Sequence, residues 1–260
     1  TCDGFNCPRT LPGYADERPG NNMRAERLLD YLNANPRFTF DKFRTMKFDA
    51  SFPRTGKFIE SMAPLFNLDE QKYPDLKEAI GILKSWNRST DVHEYAPTLI
   101  GMVMKPLFDK HDCGDDCFVA GVATDEKELV ELLRAGCDTL RSYFGTIKVE
   151  WGTVNRNIRG DKDLPLRGFA DVLSPCYPER VKGGGLKCKA KYGDTFTMLA
   201  SFDSKGVQRL EALQPQGNSS RPDSPHYNDQ MELFSKQQPR VISLKKEDVM
   251  KRAEKVYHPN

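Results

Sequence analysis

The residues with the most obvious chemical potential are four histidines: His93, His111, His226 and His258. A Ser-His-Asp or Cys-His site needs side chains that converge in space, which sequence spacing does not show, so we interpret each histidine as structural or solvent-facing. The sequence also has no phosphate-binding glycine loop with its lysine, no HExxH, no GxSxG and no dinucleotide fingerprint. The glycine run at residues 183–185 is followed by neither that lysine nor a helix, and we interpret it as a flexible turn.

Six of the seven cysteines form pairs that are close in the sequence: Cys2 with Cys7, Cys113 with Cys117, and Cys176 with Cys188. This spacing favours short disulfide-closed loops in an oxidising compartment such as a periplasm, with free thiols as the second interpretation. Zinc is the third, since the HDCGDDC run contains His111, but no pair has the two-residue spacing of a zinc knuckle. The unpaired Cys137 lies on a helical pattern, and we predict that it is a small buried hydrophobe.

Composition excludes several classes of protein. The 38% of hydrophobic residues is enough for a sizeable core, and a net charge of +2 without a basic stripe argues against a nucleic-acid partner. The longest apolar stretch is interrupted by Pro97 and is much shorter than the roughly 20 residues of a membrane-spanning helix. The start TCDGFNC has no initiator Met and no leader pattern, so we expect that a segment has been removed upstream.

Helical patterns dominate the first part of the chain. Residues 1–21 look like a connector loop, and residues 22–145 like a helical lobe. Asn21 or Asn22 can cap the first helix and Thr39 the second. Further helical periods run through residues 57–66, 73–86, 92–108 and 125–144.

From residue 146 to 260 the pattern becomes strand-rich. Alternating runs at residues 195–202 and 207–213 flank DSKG, which predicts a hairpin turn. The sequence further predicts a polar loop at residues 215–229 and a closing helix at residues 244–256. The predicted fold class is α+β, a helical lobe followed by strands and a helix.

Four segments together resemble the penicillin acylase family. In the tail, PQGNSSRPDSPHYNDQMELF is similar to the C-terminal signature of that family. WGTVNRNIRGDKDLPLRGFADVL at residues 151–173 and YGDTFTMLASF at residues 192–202 are similar to the segments that precede it. NNMRAERLLDYLNANPRFTFDKFRTMKFD resembles the Arg-bearing helix of the family. The order matches over about the whole chain, and the resemblance is greatest to the bacterial acylases of long-chain amides and acyl-homoserine lactones.

The resemblance implies the C-terminal part of the β-chain of an N-terminal-nucleophile amidohydrolase with an αββα core. In that family a precursor cuts itself and exposes a Ser, which attacks an amide carbonyl while an Asn and backbone N–H groups hold the oxyanion. Neither residue can be matched here, so we expect the Asn just upstream of Thr1 and the Ser far upstream. The expected partners are the missing N-terminal β-segment and the α-chain of the same periplasmic or secreted precursor, with a small-molecule amide as substrate. Alone, the chain is expected to be inactive.

One functional residue transfers from the family. Arg24 stands where the family keeps an arginine at the start of the helix that follows its oxyanion Asn. The resemblance implies a supporting role, in which the guanidinium orients that Asn and the nucleophile or favours the developing negative charge; the alternative is a structural ion pair. Asp16 is the only match to a calcium ligand of some members, but its spacing departs from the pattern. We therefore predict no metal or cofactor.

Other matched residues are interpreted as scaffold. His226 and Asp229 in the tail signature are expected to lock the loop, because buried polar groups need partners with or without chemistry nearby. Arg159 and Asp161 in the RGDKD turn have the same interpretation.

Two rival hypotheses remain open. Thr1 could itself be a nucleophile, although TCDGFNC resembles a loop and not the apolar strand start of such enzymes. The non-enzymatic alternative is an α+β interaction module on an acylase scaffold, which should show no large exposed apolar patch.

Overall fold

Helices make up most of the chain before Gly145. A computed structural model describes residues 21–34, 37–253 and 255–256. The helices in this part are α1 (Met23–Ala34), α2 (Phe40–Lys47), α3 (Lys57–Phe66), α4 (Lys77–Ser85), α5 (Ala96–His111), α6 (Cys117–Ala120) and α7 (Glu126–Phe144), with 3-10 turns at Pro74–Leu76 and Gly114–Asp116. The predicted periods thus correspond to helices, and α3 has the predicted bounds.

Side-chain caps explain where three of these helices begin. Asn22 Oδ1 accepts the Ala25 N–H at 2.9 Å, and Thr39 Oγ1 accepts the Lys42 N–H at 3.2 Å. Asp125 Oδ1 accepts the Glu128 N–H at 2.8 Å. Each cap satisfies a first-turn N–H group that has no partner inside its own helix. The predicted caps at Asn22 and Thr39 are confirmed.

The apolar faces of α3, α5 and α7 meet in one hydrophobic core. Phe58, Leu99 and Leu133 are each at most 1% exposed. Cys137 is fully buried in the same core, and burial raises the pKa of its thiol to about 11. The prediction that Cys137 is a buried hydrophobe is confirmed.

A four-stranded sheet follows the short helix α8 (Trp151–Val154). Its strands are β1 (Asn155–Arg159), β2 (Lys162–Pro165), β3 (Cys176–Arg180) and β4 (Cys188–Gly193), in the order β2-β1-β4-β3. β1 and β4 are parallel, and the other two pairings are antiparallel. The loop between β2 and β3, residues 166–175, carries the RGFAD segment.

The cysteines behave differently from pair to pair. Cys113 and Cys117 form the predicted disulfide, which uses both thiols and excludes the zinc alternative for this pair. Cys176 and Cys188 do not form a disulfide, so the predicted Cys176–Cys188 pairing is wrong. In the β3–β4 ladder Cys188 lies opposite Arg180. Because Arg180 is four residues along β3 from Cys176, the two cysteines are separated by about 13 Å along the strand direction. Cys2 and Cys7 lie outside the described residues.

The chain divides into two compact units, one that runs to Gly193 and a second that begins at Asp194. The change from helix to strand near Gly145 therefore lies inside the first unit. The division into residues 1–21, 22–145 and 146–260 stays a prediction about how the chain is organised.

The second unit contains the predicted hairpin. β5 (Thr197–Asp203) and β6 (Gly206–Leu213) are antiparallel, and the short β7 (Arg240–Val241) pairs with β6. The described part of this unit also contains the helices α9 (Met231–Ser235) and α10 (Lys246–Arg252). The closing helix is shorter than predicted because Ala253 leaves the helical conformation and takes an extended one.

Throughout the part of the chain that the structure describes, no helix is both long and apolar enough to cross a membrane.

Candidate active-site support at the start of helix α1

The first turn of α1 is held by a side chain from a distant part of the sequence. Met23 is buried, and its N–H donates to Oδ2 of Asp171 at 2.8 Å. The two residues are 148 positions apart, so this hydrogen bond is a tertiary contact. A carboxylate at a helix N-terminus satisfies an N–H group and interacts favourably with the helix dipole. Asp171 therefore holds the first turn of α1 in addition to the local cap at Asn22.

Arg24 lies beside the same carboxyl group. Its Nη2 is 3.7 Å from Oδ1 of Asp171 and donates to the hydroxyl of Tyr177 at 3.5 Å. The Arg24 side chain is 29% exposed, whereas that of Asp171 is 5% exposed. The carboxyl group of Asp171 is thus buried, whereas the Arg24 side chain is partly exposed.

The environment of Asp171 changes its acidity. Burial raises the pKa of its carboxyl group to about 7, while the Arg24 charge and the Met23 N–H act in the opposite direction. The negative charge of Asp115 adds to the increase. Burial and the neighbouring Asp171 also raise the pKa of the Tyr177 hydroxyl. Asp171 can therefore change its charge near neutral pH.

The loop that carries Asp171 is held by aromatic packing and hydrogen bonds. The indole Nε1 of Trp151 donates to the Gly168 carbonyl oxygen at 2.8 Å, and the ring of Phe169 stacks on that of Trp151 with centroids 5.0 Å apart. Gly168 has a φ of +101°, and a Cβ there would lie 2.8 Å from the Ser174 carbonyl oxygen, so only glycine fits. The loop is therefore a rigid support for the buried carboxyl group.

Asp171 itself has left-handed backbone angles, with a φ of 57°. Aspartate adopts this conformation more readily than most residues, but it is still uncommon and costs free energy. Strained backbone of this kind is concentrated at functional sites, where the surrounding structure maintains it.

A second arginine anchors α1 one turn later. Arg27 Nε donates to Oδ2 of Asp49 at 2.7 Å, and Nη2 lies 2.6 Å from the same oxygen. Oδ1 of Asp49 accepts the Ser51 N–H at 2.7 Å. Both oxygens of Asp49 are thus hydrogen-bonded within the fold, and we interpret this pair as structural.

The two histidines of the first unit, His93 and His111, each contact a different glutamate. His93 contacts Glu150 at 3.3 Å, and His111 contacts Glu128 at 3.4 Å. His226 lies in the second unit, and His258 lies outside the described residues, as do Thr1 and Asp16. The interpretation of the histidines as structural or solvent-facing stays a prediction.

The tail signature forms a tight loop within the second unit. His226 Nδ1 lies 3.0 Å from Oδ2 of Asp229, and the His226 carbonyl oxygen accepts the Ser219 N–H at 3.1 Å. A Cβ on Gly217 would lie 2.2 Å from that carbonyl oxygen, so the loop requires glycine there. These contacts agree with the scaffold role expected of His226 and Asp229, which stays a prediction. Arg159 lies at the end of β1 and Asp161 in the following turn, and their scaffold role also stays a prediction.

The sequence reasoning found Arg24 but not its neighbours Asp171 and Tyr177. The available signal was a lone carboxylate between apolar residues, Phe169 on one side and Val172 on the other. An isolated acidic residue in an apolar run predicts a buried acceptor, but not which N–H groups it meets.

Two comparisons place the chain among known proteins. The sequence profile described as penicillin amidase matches residues 6–251. The thermostable penicillin G acylase from Alcaligenes faecalis, solved in an orthorhombic form, is similar in structure, with a TM-score of 0.53 and 14% identity over 98% of this chain and 55% of that chain. This chain therefore spans about half the length of that acylase chain. At 14% identity the likeness shows the fold alone. The profile, in contrast, matches nearly all of the sequence, and the chain belongs to the penicillin amidase family.

Proposed function

We propose that this chain is the C-terminal β-chain portion of an amidohydrolase that cleaves linear amides, with the nucleophile outside this chain. The observation that carries the proposal is the match of the penicillin amidase family over residues 6–251, with Arg24 in the first turn of α1 beside a buried carboxyl group. The family supports hydrolysis of amides, and the arginine supplies a fixed positive charge.

The proposed reaction has two steps. The hydroxyl of an N-terminal Ser loses its proton to its own α-amino group and attacks the amide carbonyl, and the resulting tetrahedral intermediate expels the amine, which takes up that proton. Water then attacks the acyl-enzyme ester, releases the carboxylic acid and restores the Ser hydroxyl. Negative charge develops on the carbonyl oxygen in both steps. A partly exposed guanidinium at Arg24 orients the groups that hold this oxyanion or stabilises its charge directly.

The proposed partners are the N-terminal β-segment and the α-chain of the same precursor. Alternation along β5 supports this proposal: Thr197 and Leu199 are buried, whereas Met198 is 56% exposed and Phe202 is 70% exposed. Val207, which pairs with Phe202, is 39% exposed. Large apolar side chains grouped on one hairpin mark a surface made for another chain. This favours a part of a larger enzyme over a free-standing interaction module.

The substrate class and the compartment follow as finer proposals. The sequence resemblance favours the branch that acts on long-chain amides and acyl-homoserine lactones, so long linear acyl chains are the first substrates to test. The Cys113–Cys117 disulfide supports an oxidising compartment, and we propose a periplasmic or secreted enzyme.

The test begins with the complete protein that contains this chain. Its intact mass under denaturing conditions should reveal further polypeptides, one of which starts with Ser, and the assembly should release amine from linear amides of graded acyl length. A single polypeptide that is a stable monomer and releases no amine would contradict the proposal and favour the interaction module.

Arg24→Ala is the variant that tests the site. We expect kcat to fall roughly 10²- to 10³-fold, the size of effect seen when an oxyanion-stabilising donor is removed. Arg24→Lys should recover only part of the loss, because an ammonium keeps the charge but not the planar fork. Arg141→Ala is the control, since Arg141 lies on α7 in an exposed pair with Asp138. Wild-type kcat in Arg24→Ala would contradict a role for this residue.

A further inference from the structure

We propose that Asp171 is a positioning residue for Arg24, and that loss of its proton strengthens the hold on the guanidinium. This inference rests on the proposed function, and it identifies how the same site is regulated. It is built on three observations: the two contacts of the carboxyl group, the cost of placing a charge there, and the charged groups that face it.

The two oxygens of Asp171 serve the same helix turn. Oδ2 accepts the Met23 N–H at 2.8 Å, and Oδ1 lies 3.7 Å from Nη2 of Arg24. The contact with the Met23 N–H holds the backbone at the start of α1, and the contact with Nη2 attracts the side chain of Arg24. The direction of the Arg24 side chain is therefore coupled to the position of the loop that carries Asp171.

A carboxyl group is a costly choice for a helix cap in this position. The Asp171 side chain is 5% exposed and its backbone is left-handed. Burying a carboxylate costs several kcal/mol before its contacts offset the loss. An asparagine oxygen could also accept the Met23 N–H and would carry no charge. The helix dipole favours the charge of an aspartate modestly, and Arg24 adds an attraction that an asparagine would not receive.

Among the residues that the structure describes, Arg24, Asp115 and Tyr177 are the charged or titratable groups close to Asp171 or acting on it. Arg24 favours the ionised carboxylate, whereas Asp115 disfavours it. The Tyr177 hydroxyl accepts from Nη2 of Arg24, the same nitrogen that lies 3.7 Å from Oδ1 of Asp171. Burial is the largest influence, and the resulting pKa of about 7 leaves Asp171 partly protonated at neutral pH. As the pH rises through 7, the carboxylate forms and the Arg24–Asp171 attraction increases.

The deciding experiment compares Asp171→Asn with Asp49→Asn in the complete enzyme. Asp171→Asn keeps an acceptor for Met23 N–H but removes the charge that faces Arg24. We expect kcat at pH 8 to fall roughly tenfold, less than for the loss of Arg24 itself, with little change in KM. The part of the kcat rise centred near pH 7 should disappear, because only the titration of the N-terminal amine remains.

Asp49→Asn is the matched control, because Asp49 pairs with Arg27 on the same helix one turn later. We expect it to lower stability while it leaves kcat and its pH profile unchanged. A structural role alone for Asp171 would make the two variants alike in their pH profiles.

The possible failures are distinguishable. If the wild-type assembly releases no amine, the proposed function is wrong and this inference falls with it. If the wild type is active but Asp171→Asn keeps its kcat and its inflection near pH 7, only the inference is overturned. Should Asp171→Asn fold poorly, Asp171→Glu keeps the charge and should retain the inflection.

Discussion

Two arginines one turn apart on α1 each pair with an aspartate from a distant part of the chain, and the two pairs differ in geometry. Arg27 places two nitrogens within 2.7 Å of one oxygen of Asp49, whereas Arg24 stays 3.7 Å from Asp171. The Asp49 oxygens are both used inside the fold. Asp171, in contrast, has a pKa raised to about 7 by burial. The Arg27–Asp49 pair is therefore a close hydrogen-bonded ion pair, whereas the Arg24–Asp171 pair is a longer contact to a more deeply buried carboxyl group.

The largest expected effect comes from the packing that places the Asp171 loop. Phe169 is 4% exposed and stacks on Trp151, so Phe169→Ala should lower the free energy of unfolding by roughly 3–5 kcal/mol. It should also lower kcat, since Asp171 loses its rigid support. Urea unfolding and amide hydrolysis at pH 8 measure the two effects; Phe169→Leu serves if the alanine variant does not fold.

Phe118→Ala is the control for that experiment. Phe118 is 3% exposed and packs against Phe58 and Phe108, in contacts that do not involve the Asp171 loop. It should cost a similar amount of stability and leave kcat unchanged. An equal fall of kcat in both variants would show that the packing around Phe169 has no special role in placing Asp171.

A smaller effect is expected at the tight pair. Asp49→Asn leaves Arg27 without its charged partner and should lower the free energy of unfolding by about 2–3 kcal/mol, since hydrogen bonds to charged groups are the strong ones. Urea titrations at pH 5 and pH 8 should give the same loss. Asp138→Asn, at an exposed pair with Arg141, should cost less than about 0.5 kcal/mol. A loss at Asp49 no larger than that at Asp138 would contradict the anchoring role.

The most gradual effect is the pH dependence that Asp171 adds to stability, because it is spread over about three pH units. Its folded pKa of about 7 is above the ordinary value of 3.8, so the folded state holds a proton that the unfolded chain has lost. This contribution is complete below pH 4 and is lost as the pH rises to 7, by roughly 1.4 kcal/mol per pH unit. Wild type should therefore lose stability relative to Asp171→Asn between pH 5 and 7. If the unfolding free energies of wild type and Asp171→Asn change with pH in parallel, Asp171 does not contribute this pH dependence.

Local features of the sequence predicted the helices well. Thr39 and Asn22 cap helices through N–H groups three residues away, so these interactions can be inferred from neighbouring residues. The apolar periods at residues 57–66 and 125–144 likewise describe faces of single helices. Features that depend on a few consecutive residues are the ones that a sequence reveals.

Features that depend on register or on distant contacts were missed. Cys176 and Cys188 are spaced like a disulfide-closed loop, but the β3–β4 register places them at opposite ends of the ladder. The parallel pairing of β1 with β4 had no local signal either. Arg24 was found only through the family resemblance, and Asp171, its partner, was not singled out. At the candidate site, the sequence identified Arg24, and the structure identified its contacts with Asp171 and Tyr177.

The distance between Met23 and Asp171 along the chain also sets an order of events during synthesis. The hydrogen bond from Met23 N–H to Asp171 cannot form until 148 further residues have been added. At roughly 5–20 residues per second, translation takes about 7–30 s to supply them. During that interval the first turn of α1 has its local cap, Asn22, but not the Asp171 contact, while α3 to α7 already have all the residues for their own core. The carboxyl group that faces Arg24 is therefore synthesised well after the turn that it holds.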